Sequence, residues 1–344
     1  NNTAAGNTLN ISNTTLTGRD AYGATAQLQY TADRFGSGSA NNNVVNVSNV
    51  TTNGYSFTPA SATEPVTIGG NVYGGYSEYA KGTANGNTVN ILGSSTINGN
   101  VYGGFIADQL SVEDLQTAGV LDSHANNNTV IVEGSTVNGT VAGAAGASSS
   151  SNNTVTVTDS TVTSVFGVDQ SRGVADSDTS VTYANNNTVT VKGSTVTNAA
   201  AVNTTSINAS GNTLNLEDST IGTGSIYAVN IGLAFSATTG NPVAATVGSN
   251  TLNLTRMTGT FNEMGSSVNL AGTSNGNFLT AKDSTLKLTN TSGKFFGDTL
   301  DIEELSAHHL LPTMDTSKGY LFGGASMTYT SQTGTGTAEP EPVD

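Results

Sequence analysis

Apolar and polar positions alternate with period two in a short unit that returns along the whole chain. In Asn87-Thr88-Val89-Asn90-Ile91 the aliphatic residues take every second place, and Asn153-Thr154-Val155-Thr156-Val157 and Asn187-Thr188-Val189-Thr190-Val191 repeat the pattern. Successive side chains of a strand point to opposite faces. Val89 and Ile91 are therefore expected to face a core, and Thr88 and Asn90 to face outward. A Ser/Thr segment with one more aliphatic follows, Ser94-Ser95-Thr96-Ile97, and then Val101-Tyr102-Gly103. The same order of parts runs from Asn128 through Ser135-Thr136-Val137 to Val141-Ala142-Gly143, and from Asn212 to Ile226-Tyr227-Ala228. Each unit thus predicts three short strands separated by corners.

The Asn that opens each unit stands at 7, 43, 87, 128, 153, 187, 212, 250 and 277, with the weaker copies at 43, 250 and 277. The shortest interval is 25 residues, from Asn128 to Asn153. Units of roughly 20–50 residues indicate solenoids or propellers. A propeller blade needs about 40 residues, which the short units cannot supply. One unit buries too few aliphatics to fold alone, whereas stacked coils about 4.8 Å apart continue an apolar column through the molecule. The expected fold is all-β, a single-stranded right-handed parallel β-helix, its hand taken from the general rule for parallel connections. The opening Asn is expected at a corner, because Asn tolerates left-handed backbone. Its amide is also expected to hydrogen-bond from coil to coil.

Composition narrows the partners. Charged residues make up 10% of the 344 residues, against roughly 25% in ordinary soluble domains. The formal net charge is −15 with only ten Lys and Arg. Nucleic acid is bound by clustered cations, so it is not an expected partner. There is no Cys, and stability must come from backbone hydrogen bonds and stacked side chains. No apolar run is long enough to span a bilayer as a helix.

Length variation falls mainly after the third strand, at about 23–41, 103–126, 167–185 and 228–249, with shorter versions at 74–85 and 143–152. An exception near 52–63 lies between the first and second strands. Insertions at one corner emerge side by side along one edge, the place where solenoids often bind. In 103–126, Ser111 is a candidate N-cap followed by Glu113 and Asp114. A one- or two-turn helix is expected there, over 111–118, exposing Asp108, Glu113 and Asp114. Aligned third strands place Tyr22, Tyr73, Tyr102, Phe166 and Tyr227 in one outward column interrupted by Ala142, with Tyr76 and Phe105 beside it. Tyr73, Tyr76, Tyr102, Phe105, Asp108, Glu113 and Asp114 form the candidate binding set. Aromatic surfaces of this kind suit sugar rings or proteins, or else simply cover a sheet.

Catalytic chemistry is sparse. His124 lies in an insertion, and the adjacent His308 and His309 would point to opposite faces, a poor arrangement for one metal ion. Gly69-Gly70 and Gly103-Gly104 fit corners better than phosphate cradles. Acids lie mostly in insertions, with little basic company beyond Arg172. No cofactor, metal or catalytic residue is expected. From Phe295 to Tyr329 the repeat fades and long apolar residues gather, predicting a cap over about 291–330. The solenoid with its cap is expected over 1–330. Residues 331–344, ending Glu339-Pro340-Glu341-Pro342, have linker composition and are expected to lead into a further segment.

The run NTVNILGSSTINGNVYGG at 87–104 resembles the passenger regions of Gram-negative autotransporters. The resemblance covers roughly residues 1–290 through the recurring "NTVxI" and "GNVYGG" units. It implies export through the outer membrane and anchoring there by a barrel that this chain does not contain. It further implies display at the cell surface as a non-enzymatic adhesin for a host-cell or bacterial surface protein or glycan. Two alternatives stay open: a polysaccharide-active β-helix enzyme, and a structural passenger that self-associates through its polar faces.

Overall fold

The structure, a computed structural model, describes residues 2–27, 36–57, 66–107, 123–172, 183–205, 208–232, 245–269 and 272–282. It also describes the short stretches 284–288, 294–296, 299–301, 320–322 and 325–326. These residues form an all-β solenoid, a parallel β-helix in which each coil pairs with the coils before and after it. All strand pairs among them are parallel, apart from one small antiparallel pair, Tyr55–Phe57 with Val66–Ile68. That pair flanks the insertion expected near 52–63, and the register corrects its place: Thr51 and Thr52 already pair with Thr96 and Ile97 of the second strand, so it lies between the second and third strands and not between the first and second.

The register follows the repeat. In the first column Leu9, Val45, Val89, Val130, Val155, Val189, Leu214, Leu252 and Leu279 are successive partners. From Val45 to Leu279 these side chains are fully buried, and Ile91, Val132, Val157 and Val191 form the neighbouring buried row. The second strand adds Ile97, Val137, Val162, Val196 and Ile221; the third adds Val72, Val101, Val141, Val165 and Ile226. All of them belong to one apolar cluster running the length of the helix. In the later coils the second and third strands run together, as in Thr136–Ala145 and Thr161–Arg172.

A fourth, very short strand was not legible in the repeat. Gly38–Asn41, Tyr183–Asn185, Asn208–Ser210, Ala245–Gly248 and Gly272–Asn275 form it in some coils. Single bridges at Thr83, His124 and Ser149 continue it in the others. Its residues and the distal ends of the third strands enclose a second cluster of mostly small residues, including Ala84, Ile106, Ala125, Ala144, Val168, Ala184 and Val202.

Between the two clusters runs an asparagine ladder. The main-chain N–H and the side-chain amide of Asn87 both donate to Asn128 Oδ1, at 2.9 and 3.0 Å. The same double contact joins Asn7 to Asn43, Asn43 to Asn87, Asn128 to Asn153, Asn153 to Asn187, Asn187 to Asn212, Asn212 to Asn250, and Asn250 to Asn277. All nine opening residues therefore take part. The backbone expectation needs correction. Positive φ belongs to the residue before each of these Asn (Asn42, Gly86, Asn127, Asn152, Asn186) and not to the Asn itself. The turn delivers the next residue inward, where its amide is shielded from water.

A serine ladder serves the first corner in the same way. The N–H of Ser95 donates to Ser135 Oγ, Ser135 to Ser160, Ser160 to Ser194, and Ser194 to Ser219. The glycine of the Val-Tyr-Gly segment is explained by the asparagine ladder. A Cβ on Gly103 would stand 2.7 Å from Asn128 Cβ, and one on Gly143 the same distance from Asn153 Cβ. Gly103 and Gly104 accordingly lie inside the strand Val101–Ile106 and not at a corner, whereas Gly69 and Gly70 have the expected positive φ.

The breaks in the described chain at 28–35, 108–122, 173–182 and 233–244 all fall between a third strand and the following fourth strand. Apart from the 54–71 connection, the longer connections thus share one corner. The 103–126 boundaries were too wide, since Gly103–Ile106 are strand and Ala125 is core. The helical turn expected at 111–118 lies outside the described residues, as do most of the expected cap and the whole of 331–344.

Candidate aromatic site

The third strands carry the aromatic residues on the face opposite Val72 and Val101. Tyr22 pairs in register with Tyr73, Tyr73 with Tyr102, Tyr102 with Ala142, and Ala142 with Phe166. Ala200 then separates Phe166 from Tyr227, a second interruption. Three residues further along each strand, Tyr76 pairs with Phe105 and Phe105 with Ala145. The in-register spacing stacks the rings. Tyr22 and Tyr73 lie 5.0 Å apart at 7°, Tyr73 and Tyr102 5.5 Å apart at 20°, and Tyr76 and Phe105 5.7 Å apart at 3°.

The two stacks meet edge to face. Tyr22–Tyr76, Tyr73–Tyr76 and Tyr73–Phe105 are 5.3–5.5 Å apart with planes 73–78° to each other. Both arrangements are favourable for the ring quadrupoles. The result is a herringbone of five rings from three consecutive coils. Tyr73 and Tyr102 keep only 8% and 9% of their surface, so the outward face expected for them is largely covered. Tyr22, Tyr76 and Phe105 remain half-buried and form the accessible rim.

Carboxylates border the rings. The Tyr22 hydroxyl donates to Asp20 Oδ2 at 3.0 Å, while Asp20 Oδ1 accepts the N–H and side-chain amide of Asn71. Asp169, itself buried, accepts the Asn203 amide at 3.1 Å and sits in register with Ala145. Burial, then Glu78 and Asp20, push the Tyr76 hydroxyl up to about 12. Burial acts first on Tyr22, Tyr73 and Tyr102 as well, with Asp20 adding to the rise at Tyr22 and Tyr73 and Asp169 at Tyr102. These tyrosines are neutral hydrogen-bonding groups near neutral pH and not bases.

Sequence reasoning placed Tyr73, Tyr76, Tyr102 and Phe105, and the structure brings these four together with Tyr22. Asp108, Glu113 and Asp114 lie outside the described residues. Asp20 and Asp169 were missed. The signal for Asp20 was its place one residue before the third strand, where Asn71 and Asn100 stand in the next two coils. His124 contributes a main-chain bridge to Thr83 and Ser149, and His308 and His309 lie outside the described residues. Among the described residues no group of three His, Asp or Glu is arranged to hold a metal ion, and no helix is long and apolar enough to cross a membrane. In comparison with known proteins, the chain matches no family model, no curated protein and no solved structure.

Proposed function

We propose that this chain is a non-enzymatic surface adhesin that binds a protein or glycan through the aromatic rim of Tyr22, Tyr76 and Phe105. The observation that carries the reading is the rim's construction. Its three half-buried rings rest on two buried ones, so the contact surface is rigid before any ligand arrives. Preorganised aromatic surface loses little conformational entropy on binding. Asp20, and the neutral tyrosine hydroxyls, add hydrogen-bonding groups around an apolar patch, the composition expected where a sugar ring or a protein side chain stacks. Display at the surface of a Gram-negative cell comes from the autotransporter-like repeat described above.

The test is a glycan array together with a panel of cell-surface proteins, probed with the parent and with the Tyr76→Ala/Phe105→Ala double variant. Each ring contributes about 0.5–1.5 kcal/mol beyond its area. The folded double variant should therefore lose at least about fivefold in affinity for whatever the parent binds. Equal binding by the two proteins overturns the aromatic-rim reading, and turnover of a bound polysaccharide would favour the enzyme alternative.

A further inference from the structure

The aromatic rim is bordered by a carboxylate whose contacts are all neutral. Asp20 Oδ2 accepts the Tyr22 hydroxyl, and Asp20 Oδ1 accepts the N–H and the side-chain amide of Asn71. A carboxylate offers about four acceptor sites, so one stays open beside Tyr22. Arg19 and Lys81, the cations nearest in sequence to the rim carboxylates, are exposed. Among the described residues neither is paired with Asp20, and the ion pairs join Lys192 and Arg256 to Glu217 and Asp218 instead. Asn71 and Asn100 stand where Asp20 does in the next two coils, and the Oδ1 of each accepts the N–H of the following coil. An amide therefore meets the needs of this ladder. The charge of Asp20 is additional to them.

That charge bears on the rings. Asp20 acts on the hydroxyls of Tyr22, Tyr73 and Tyr76, and Glu78 on those of Tyr22 and Tyr76. Accessible ring surface and carboxylates thus share one border, on a chain whose formal net charge is −15. An anionic ligand meets repulsion there, and a neutral one leaves the open carboxylate position to water. An arginine or lysine side chain suits both parts at once. Its methylene stem packs on apolar surface while its charged head seeks an anion.

We infer that the rim takes a cationic side chain of a basic protein, its stem across Tyr22 and Tyr76 and its ammonium or guanidinium head at Asp20. The inference rests on the aromatic-rim reading and narrows it, since glycans bearing carboxylates or sulfates are repelled. Attraction between the acidic chain and a basic partner also speeds their encounter, most of all at low salt.

Asp20→Asn tests the charge with little risk to the fold, because Asn already fills the position in the next two coils. The probes are short labelled peptides of Gly and Ser with Arg at alternate positions, and the same peptides with Gln or Glu in place of Arg. Fluorescence anisotropy follows their binding to the parent, Asp20→Asn, Glu133→Gln and Tyr76→Ala/Phe105→Ala. Glu133 is exposed at the end of a first strand, so Glu133→Gln removes the same charge away from the rim. The parent should bind the arginine peptide at least about fivefold more tightly than the glutamine peptide, the loss expected for one partly screened charge-assisted hydrogen bond. Asp20→Asn should lose that preference and the aromatic variant should bind weakly, while Glu133→Gln matches the parent. Equal binding of the arginine and glutamine peptides by the parent, or a preference kept by Asp20→Asn, overturns the inference and leaves the aromatic rim standing. So does tighter binding of the glutamate peptide. An equal loss in Glu133→Gln also overturns it, by reducing the effect to the net charge of the chain. If the aromatic variant binds the arginine peptide as tightly as the parent, the rim reading fails and the inference falls with it. Should Asp20→Asn not fold, the peptide preference of the parent decides alone.

Discussion

Asn128 donates both its main-chain N–H and its side-chain amide to one atom, Asn153 Oδ1, at 3.0 Å each. Asn153 passes the arrangement on to Asn187 and also donates to the Ala125 carbonyl at 3.0 Å. One side chain therefore joins three coils and satisfies groups on both of its neighbours. Because the residue is fully buried, water cannot replace these contacts. The coil-to-coil order of the solenoid rests on this ladder as much as on the apolar columns.

Asn153→Ala is accordingly expected to destabilise strongly. It leaves the Asn128 donors and the Ala125 carbonyl without partners, at about 1–3 kcal/mol per buried group. A total loss of at least about 3 kcal/mol is expected from that range. Asn7→Ala, at the exposed end of the ladder, should cost less than about 1 kcal/mol, since water reaches that rung. Thermal or denaturant melts of the two variants check the contrast, and equal losses would remove the ladder from the stability argument.

The inward and outward assignment is tested by charge. Ile91 and Val130 are fully buried, while Thr88 is only half-buried on the outer face. Ile91→Asp or Val130→Asp places an unpaired carboxylate in the central column, at a cost of several kcal/mol. Thr88→Ser should change stability by less than about 0.5 kcal/mol, as for most surface substitutions. Equal melting temperatures for all three variants would contradict the register.

The tyrosine cluster predicts an alkaline weakness. Tyr76 ionises near 12 in the folded chain through burial, Glu78 and Asp20, and Tyr22, Tyr73 and Tyr102 shift the same way. An unfolded tyrosine ionises near about 10. Above that pH the unfolded chain releases protons that the folded chain retains, so the equilibrium moves toward unfolding. The tyrosine contribution is complete below about pH 10 and is lost as pH rises toward 12 and beyond. Denaturant midpoints should fall steeply over this window in the parent and less steeply in Tyr76→Phe. Parallel curves would show that Tyr76 does not contribute.

What could be read from the chain followed the physics of each feature. The columns through Val89 and Val101 were legible because branched aliphatics at period two leave one reading of the faces. The role of Asn128 was legible only in part. Left-handed turns and amide ladders both favour Asn, and at Asn127-Asn128 adjacent residues divide the two tasks. The fourth strand was hidden because it shrinks to a single bridged residue at Thr83 and His124, too short for alternation to register. The aromatic column was found by aligning Tyr73 with Tyr102. Its burial was not, since the rings that cover it come from several coils. The three-residue spacing from Tyr73 to Tyr76 and from Tyr102 to Phe105 was the available clue, because it sets a second stack beside the first.

The insertion edge gives the last prediction. The third strand containing Phe105 ends at Ile106, and the described chain resumes at Ser123, whose N–H donates to Ser148 Oγ at 3.0 Å. His124 then bridges Thr83 and Ser149. Residues 103–106 and 123–126 therefore belong to the solenoid, and a deletion must be confined to 108–122, with Ala107 joined to Ser123. The next coil makes the same connection with Gly146 and Ala147 between Ala145 and Ser148, so the shortened protein should fold with its melting temperature nearly unchanged. The comparison is a deletion of 233–244, which joins Gly232 to Ala245 at the same corner four coils along. Ala107, two residues after Phe105, is the last described residue before 108–122, the stretch that holds Asp108, Glu113 and Asp114. If recognition extends from the rings onto the insertion edge, its removal should weaken adhesion to the target cell far more than loss of 233–244. Cell binding is measured on both folded variants alongside Tyr76→Ala/Phe105→Ala. Full binding by the 108–122 deletion, with loss in the aromatic variant, would confine recognition to the rings and eliminate the three acidic residues as contacts.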